Sequence, residues 1–115
     1  LVVDDNMVNV KLAKRLLENY NIIVDMSTSG RDAIEKVKEN KYDIIFLDHM
    51  MPELDGIATL KLLKEKYNDL PPIIALTANS YGGLREKYIS YGFNDYISKP
   101  INVKELSKML DTYLK

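Results

Sequence analysis

The sequence has no cysteine among its 115 residues and no strong excess of either charge. Without cysteine, disulfides and thiolate metal sites are excluded, and a reducing cytoplasm is compatible with the chain. The 16 basic and 17 acidic residues leave a net charge of −1, so nothing indicates direct binding of nucleic acid. The longest apolar runs, such as residues 44–47, are strand-sized and far too short to span a bilayer. We therefore expect no membrane contact by this domain.

Length and composition predict one globular domain. Hydrophobic residues make up 46% of the chain and charged residues 29%, which is ordinary for a soluble protein with one core. The first residue is leucine rather than methionine, and the first predicted strand is short. We expect residues 1–115 to be a single domain excised from a longer protein, with its first strand slightly truncated. The domain is expected to be cytoplasmic, within a parent protein that can itself be membrane-anchored.

Short apolar runs alternate five times with amphipathic stretches, which is typical of a parallel α/β sheet. The predicted strands are residues 1–3, 22–26, 43–47, 73–76 and 96–98. The predicted helices are residues 7–20, a stretch after Ser29, a stretch after the turn at 51–56, and residues 80–91 and 103–114. Five such units favour a doubly wound, three-layer α/β/α fold with strand order 2-1-3-4-5.

The helices carry end signals and apolar faces. Asn6 is the expected N-cap of the first helix, and Gly92 the expected C-cap of the fourth. Gly82 and Gly83 predict a loose start to the fourth helix, because each glycine costs about 1 kcal/mol of helix propensity. Helical spacing places four further side chains toward the core, namely Tyr20, Tyr67, Val103 and Tyr113.

Polar residues follow four of the predicted strands, at the rim where their carboxyl ends meet: Asp4-Asp5, Asp48, Thr77 and Lys99. Each has an ordinary interpretation alone, as a helix cap, an Asx turn or a surface turn. None falls at the opposite rim, however, and ligands of such sheets bind where the carboxyl ends of the strands meet. With strands one and three adjacent, Asp5 should lie beside Asp48.

Three carboxylates packed together repel one another unless a cation offsets their charge. Oxygen-only ligands favour Mg²⁺ or Mn²⁺. Asp48 would then be a carboxylate nucleophile that accepts a phosphoryl group. The Lys99 ammonium and the Thr77 hydroxyl would contact the phosphoryl oxygens.

These motifs resemble the receiver domain of the two-component response-regulator family over essentially the whole chain. The matching segments are VVDDN at residues 2–6, LDHMMP at 47–52 with DG at 55–56, LTA at 76–78 and DYISKP at 95–100. The resemblance implies a flavodoxin-like fold. It also implies a phosphorelay function, in which a histidine kinase or a histidine phosphotransfer domain supplies the phosphoryl group.

The resemblance assigns roles to individual residues. Asp4, Asp5 and Asp48 would hold Mg²⁺ together with the main-chain carbonyl of Met50. Asp48 would be the phosphorylated residue, and Thr77 and Lys99 would contact the phosphoryl group. Tyr96 would be the switch aromatic, and the Lys99–Pro100 bond would be cis.

Phosphorylation would alter the face of helix four, strand five and helix five toward a downstream effector. Tyr88, Tyr91 and Tyr96 are expected on a partner surface there.

Asn9 and residues 98–101 resemble receivers attached to hybrid sensor histidine kinases more than receivers fused to DNA-binding domains. The receiver itself would be a phosphoacceptor with weak self-catalysed transfer and hydrolysis.

Three other functions stay open. A phosphatase of the haloacid-dehalogenase kind would want a second acid at position 50, and a flavodoxin-like electron carrier would want a phosphate-binding loop after strand one. A receiver-like docking module that is never phosphorylated would usually lack an acid or the lysine.

His49 is the only histidine and directly follows Asp48. Successive strand side chains point to opposite faces, so its ring should point away from Asp48. We expect His49 to be solvated or to pack, rather than to act in the chemistry.

Overall fold

A computed structural model describes residues 1–78, 83–99 and 101–114. The strands are β1 (Val2–Val3), β2 (Met26–Ser27), β3 (Ile45–Asp48), β4 (Ile73–Thr77) and β5 (Asp95–Ser98). The helices are α1 (Met7–Glu18), α2 (Gly30–Glu39), α3 (Gly56–Lys66), α4 (Leu84–Tyr91) and α5 (Val103–Tyr113). The strands and helices alternate along the chain, as the sequence pattern predicts.

The five strands form one parallel sheet in the order β2-β1-β3-β4-β5, which confirms the predicted doubly wound fold. Val3 pairs with Leu47 of β3, and Asp48 pairs with Leu76 of β4. Thr77 in turn pairs with Ser98 of β5. The carboxyl ends of β1, β3, β4 and β5 therefore meet at one rim.

Two layers of apolar side chains cover the two faces of the sheet. One layer joins alternate strand residues such as Leu47 and Ala75 to α2, α3 and α4. The other joins the intervening residues, such as Phe46 and Leu76, to α1 and α5. Residues that are neighbours in one strand therefore face different layers. The neighbours Asp48 and His49 are such a pair.

Side-chain caps fix where several helices begin. The Asn6 side chain accepts hydrogen bonds from the amides of Val8 and Asn9, as predicted for an N-cap. Asn102 caps α5 in the same way, and Ser29 and Asp55 cap α2 and α3. Gly92 ends α4 in the left-handed region at φ 112, which is the predicted C-cap.

The second strand begins later than predicted. Residues 22–25 are not strand, and the Ile23 side chain is 96% exposed. This strand lies at the edge of the sheet and pairs only with β1, which offers Val2 and Val3 as partners. Apolar composition alone could not show how far that neighbour extends.

Two inward-facing predictions are wrong. Tyr20 is 38% exposed, because α1 ends at Glu18 and Tyr20 lies in the turn beyond it. Val103 is 55% exposed, because it is the first residue of α5 and precedes the buried turn that contains Leu106. Tyr67 and Tyr113 are partly buried against the core layers, as expected.

Several expectations fall on residues outside the described ranges. These are the first turn of the predicted fourth helix at residues 80–82 and the Lys99–Pro100 bond. Within the described ranges, α4 begins at Leu84, preceded by Gly83 in a left-handed conformation at φ 83. Across these ranges, no helix has both the length and the apolar content needed to cross a membrane.

Candidate functional site

Acidic side chains from two strand ends come together at the rim. Asp4 and Asp5 follow β1, and Asp48 is the last residue of β3. One carboxylate oxygen from each of the three lies within 4.8 Å of the others. Asp4 and Asp48 are buried, whereas Asp5 is exposed. The site is therefore open to solvent on the side where Asp5 stands.

Asp4 also shapes the turn that leads into α1. Its Oδ1 accepts a hydrogen bond from the Asn6 amide at 2.9 Å. Its other oxygen, Oδ2, faces the Lys99 ammonium. This carboxylate thus has a local structural contact on one oxygen and a contact within the site on the other.

The lysine predicted for the site lies among the acids. Lys99 Nζ donates to Asp48 Oδ1 at 3.0 Å and to Asp4 Oδ2 at 3.4 Å. Burial alone would lower the pKa of the Lys99 ammonium, but the contacts with Asp48 and Asp4 outweigh burial and raise that pKa above its usual value. Lys99 is therefore a fixed positive charge at neutral pH.

The pKa of the Asp48 carboxyl is raised, which means that its ionised form is destabilised in the folded domain. Burial raises the pKa of the Asp48 carboxyl to about 6, against an ordinary value of 3.8. Lys99 acts in the opposite direction, while the negative charge of Asp4 adds to the rise. The same ion pair thus favours the charged lysine yet fails to offset the burial of the carboxylate. An additional positive charge at this rim would stabilise the ionised form.

Thr77 is buried and ends β4, the strand that pairs with the Asp48 strand β3. Its carbonyl accepts the Lys99 amide at 2.6 Å, which aligns the chain that follows β5 with the end of β4. The hydroxyl predicted to contact a phosphoryl group therefore belongs to a strand that also positions the lysine backbone.

The Met50 side chain is 71% exposed and carries no oxygen, so only its main-chain carbonyl could ligate a hard cation. A second acid at this position, as in a phosphatase of the haloacid-dehalogenase kind, is replaced here by methionine. The loop that follows returns to the strand, where the Gly56 amide donates to the His49 carbonyl at 2.9 Å.

Sequence reasoning missed the part played by Gly56. A Cβ atom at this position would collide with the Asp48 carbonyl oxygen and lie 2.9 Å from His49 Cα. The start of α3 therefore approaches the end of β3 as closely as glycine permits. The signal was the Asp55-Gly56 pair, which sequence reasoning placed in a turn and among the family motifs without giving Gly56 a structural role.

Sequence reasoning grouped Tyr88, Tyr91 and Tyr96 near helix four and strand five, but it missed that His49 joins this aromatic cluster behind the site. His49 Nδ1 and the Tyr88 hydroxyl share a hydrogen bond of 2.6 Å, so His49 packs away from the acids as expected. Tyr96 is half-buried, and its ring stacks on Tyr88 with centroids 5.8 Å apart. Tyr88 is only 2% exposed, so its predicted place on a partner surface is wrong.

The fold and the acidic rim define a class of protein that a family comparison identifies directly. Residues 1–111 match the model of the response regulator receiver domain. The chain belongs to this family, and it is a receiver domain of the two-component phosphorelay type.

Relatives of this chain include receiver domains within much longer kinases. The chain is 37% identical over 114 residues to the signal transduction histidine-protein kinase BarA of Escherichia coli K12, covering 98% of this chain and 12% of that protein. It is 35% identical over 115 residues to the aerobic respiration control sensor protein ArcB of the same strain, covering 98% of this chain and 15% of that protein. The chain thus spans about an eighth of the length of these relatives.

A solved structure with the same fold contains a metal ion in its own chain. It is the receiver domain of a sensor histidine kinase from Pseudomonas aeruginosa PAO1, with a magnesium ion coordinated in its active-site cleft. The TM-score is 0.86 at 33% identity, covering 98% of this chain and 93% of that chain.

A second structure is a complex between the Saccharomyces cerevisiae histidine phosphotransfer protein Ypd1 and the receiver domain of its downstream response regulator Ssk1. The match has a TM-score of 0.83 at 28% identity, covering 97% of this chain and 85% of that chain.

Proposed function

We propose that this domain accepts a phosphoryl group on Asp48 from a phosphohistidine, in a reaction that requires Mg²⁺ or Mn²⁺. The donor is a histidine kinase or a histidine phosphotransfer domain. The observation that carries the proposal is the convergence of three carboxylates, within 4.8 Å of one another, with a lysine 3.0 Å from Asp48. Such a group is unfavourable by itself and suits a site that receives positive charge and phosphate oxygens.

The residues that would hold the metal are Asp4, Asp5, Asp48 and the main-chain carbonyl of Met50. Their donors are all oxygens, which fits Mg²⁺. When bound, the ion supplies positive charge that offsets the carboxylates and the developing phosphoryl charge. The raised pKa of Asp48 supports this assignment, because it marks a carboxylate that lacks enough positive charge around it.

The transfer forms one bond and breaks one. An Asp48 carboxylate oxygen attacks phosphorus, and the phosphorus–nitrogen bond of the donor phosphohistidine breaks. The imidazole nitrogen leaves with the electron pair and takes a proton. Lys99 Nζ, now paired with Asp48 Oδ1 at 3.0 Å, would turn to a phosphoryl oxygen, and the Thr77 hydroxyl would donate to another.

The parent protein and the output follow from the same proposal. Residues 1–115 form a single receiver domain of a longer protein, and a hybrid sensor histidine kinase is the parent that the relatives support.

Movement of the Tyr96 ring from its stack on Tyr88 toward Thr77 would change α4, β5 and α5, the face offered to a downstream effector. Thr77 and Tyr96 are the switch residues in this proposal.

The chemistry is tested by incubating the domain with acetyl phosphate and Mg²⁺ and measuring its intact mass. We expect one added phosphoryl group in the wild type, mapped to Asp48 by peptide mass spectrometry. No addition is expected after chelation of Mg²⁺. The matched variant is Asp48→Ala, which should gain no phosphoryl group although Asp4 and Asp5 remain. Equal phosphorylation of Asp48→Ala and wild type would contradict the proposal.

A further inference from the structure

His49 faces the opposite side of the sheet from the acids. Along β3, Phe46 belongs to the layer with α1 and α5, while Leu47 belongs to the layer with α2, α3 and α4. Because strand side chains alternate, Asp48 continues the first series and His49 the second. The residue bonded directly to the proposed phosphoacceptor therefore reaches the layer that contains α4.

A short polar contact joins His49 to the middle of α4. His49 Nδ1 and the Tyr88 hydroxyl oxygen are 2.6 Å apart, and the two rings meet edge to face at 90°. Tyr88 is almost completely buried. The short distance and the edge-to-face arrangement of the rings make this contact a specific link rather than an incidental approach.

The Tyr88 ring also reaches the proposed switch residue. Tyr96 stacks on it with an interplanar angle of 21°, the only stacked pair in the cluster among the described residues. Phe93 and Tyr91 meet the same ring edge-on, at 5.7 and 5.9 Å between centroids. Tyr88 thus lies between the residue that follows Asp48 and the aromatic ring of β5.

Two side chains of α4 are buried among the residues that the structure describes. The helix has eight residues, and two of these, Leu84 and Tyr88, are its buried residues. Its N-cap position is Gly83, which can offer no side-chain hydrogen bond. A change at Tyr88 therefore acts on one of the two buried side chains of this helix.

We infer that the His49–Tyr88 hydrogen bond is a latch that holds α4 and Tyr96 in the unswitched arrangement. His49 and Tyr88 are then positioning residues, which act on the switch and not on phosphorus. This inference rests on the proposed function. The latch is present while Lys99 is paired with Asp48, which is the arrangement without a phosphoryl group. Movement of Tyr96 toward Thr77 would break its stack on Tyr88. This stack is the contact that the His49–Tyr88 hydrogen bond supports.

The latch makes a quantitative prediction about phosphoryl analogues. A ligand shifts an equilibrium only by its difference in affinity for two states, so a bond present in the unswitched state alone opposes the ligand. Tyr88→Phe removes the hydroxyl and keeps the ring. We expect it to bind beryllofluoride, in saturating Mg²⁺, about 2- to 10-fold more tightly than the wild type, the range for loss of one hydrogen bond.

Beryllofluoride affinity is measured by NMR titration for the wild type, Tyr88→Phe, His49→Phe and the double variant. Both single variants should bind more tightly, and the double variant should gain no more than either, because all three lack the same bond. Mg²⁺ affinity measured alongside should not change. Thermal melting of each variant confirms that it is folded, and His49→Phe provides the test if Tyr88→Phe fails to fold.

Tyr91→Phe is the matched control. Tyr91 lies on the same helix and its ring contacts both Tyr88 and His49, but its hydroxyl is not part of the latch. Its beryllofluoride affinity should equal that of the wild type. Unchanged or weaker binding by Tyr88→Phe would overturn the latch alone. Failure of the wild type to bind beryllofluoride would overturn the proposed function and the latch together.

Discussion

At the scale of single residues, the fold changes the acid–base chemistry of Asp48. Burial at the end of β3 raises its pKa to about 6, and the nearby Lys99 ammonium does not reverse the rise. In the unfolded chain this carboxyl would titrate near its ordinary value of 3.8. The folded domain therefore binds this proton more tightly than the unfolded chain does.

This difference predicts a pH-dependent gain in stability from Asp48→Asn. Stability from a raised carboxyl pKa is fully present below about 4 and is lost as the pH rises through about 6. At pH 7.5 without metal, the neutral asparagine should therefore raise the free energy of unfolding by up to about 3 kcal/mol. The gain should shrink toward zero near pH 4. Urea denaturation of both proteins at several pH values measures it.

Asp69→Asn is the control for this comparison, because Asp69 is exposed in the loop before β4. Its substitution should change stability by less than about 0.5 kcal/mol at every pH. A gain for Asp48→Asn that is the same at pH 4 and pH 7.5 would show that burial of the charge is not its cause.

At the scale of elements, the loop between β3 and α3 holds the site in place. Gly56→Ala would force its Cβ into the Asp48 carbonyl oxygen, so strand and helix would have to separate. We expect a loss of about 1–3 kcal/mol in the free energy of unfolding, the usual effect of overpacking. We also expect slower phosphorylation by acetyl phosphate, because the displaced segment carries Asp48 and Met50.

Gly30→Ala is matched to this change. Its Cβ would collide with the Thr59 hydroxyl and lie 2.9 Å from the Leu54 carbonyl oxygen, which is crowding between α2 and α3 rather than at Asp48. It should lose comparable stability and keep the phosphorylation rate of the wild type. Equal slowing in both variants would mean that general destabilisation, and not position at the site, limits the reaction.

The elements also show what the sequence could and could not predict. Strand order and the convergence of Asp5 with Asp48 followed from local patterns combined with a topological rule. The start of β2 did not, because it depends on how far β1 extends beside it. The His49–Tyr88 contact did not either, because it joins residues 39 positions apart that share no periodic pattern. Pairwise contacts of this kind arise only from packing.

At the scale of the whole molecule, alternation in the sheet separates two tasks. Asp48 lies at the rim, on the side of the sheet that faces α1 and α5. His49 and Tyr96 lie on the side of the sheet that faces α4. The proposed chemistry and the proposed switch can therefore be altered by different substitutions. Asp48→Asn and Tyr88→Phe change one each.

The whole account depends on a metal-binding rim that forms only when the chain is folded. The most direct test is the melting temperature of the domain with and without Mg²⁺. At about 100 times its dissociation constant, an ion that binds the native state alone adds about 2.7 kcal/mol of stability. This corresponds to roughly 10 °C in a domain of this size.

The account predicts this rise for the wild type and for Asp69→Asn, whose exposed carboxylate lies outside the acidic group. Asp5→Asn, which removes one of the three converging carboxylates, should lose most of it. A wild-type melting temperature that ignores Mg²⁺, or a full rise in Asp5→Asn, would contradict the account.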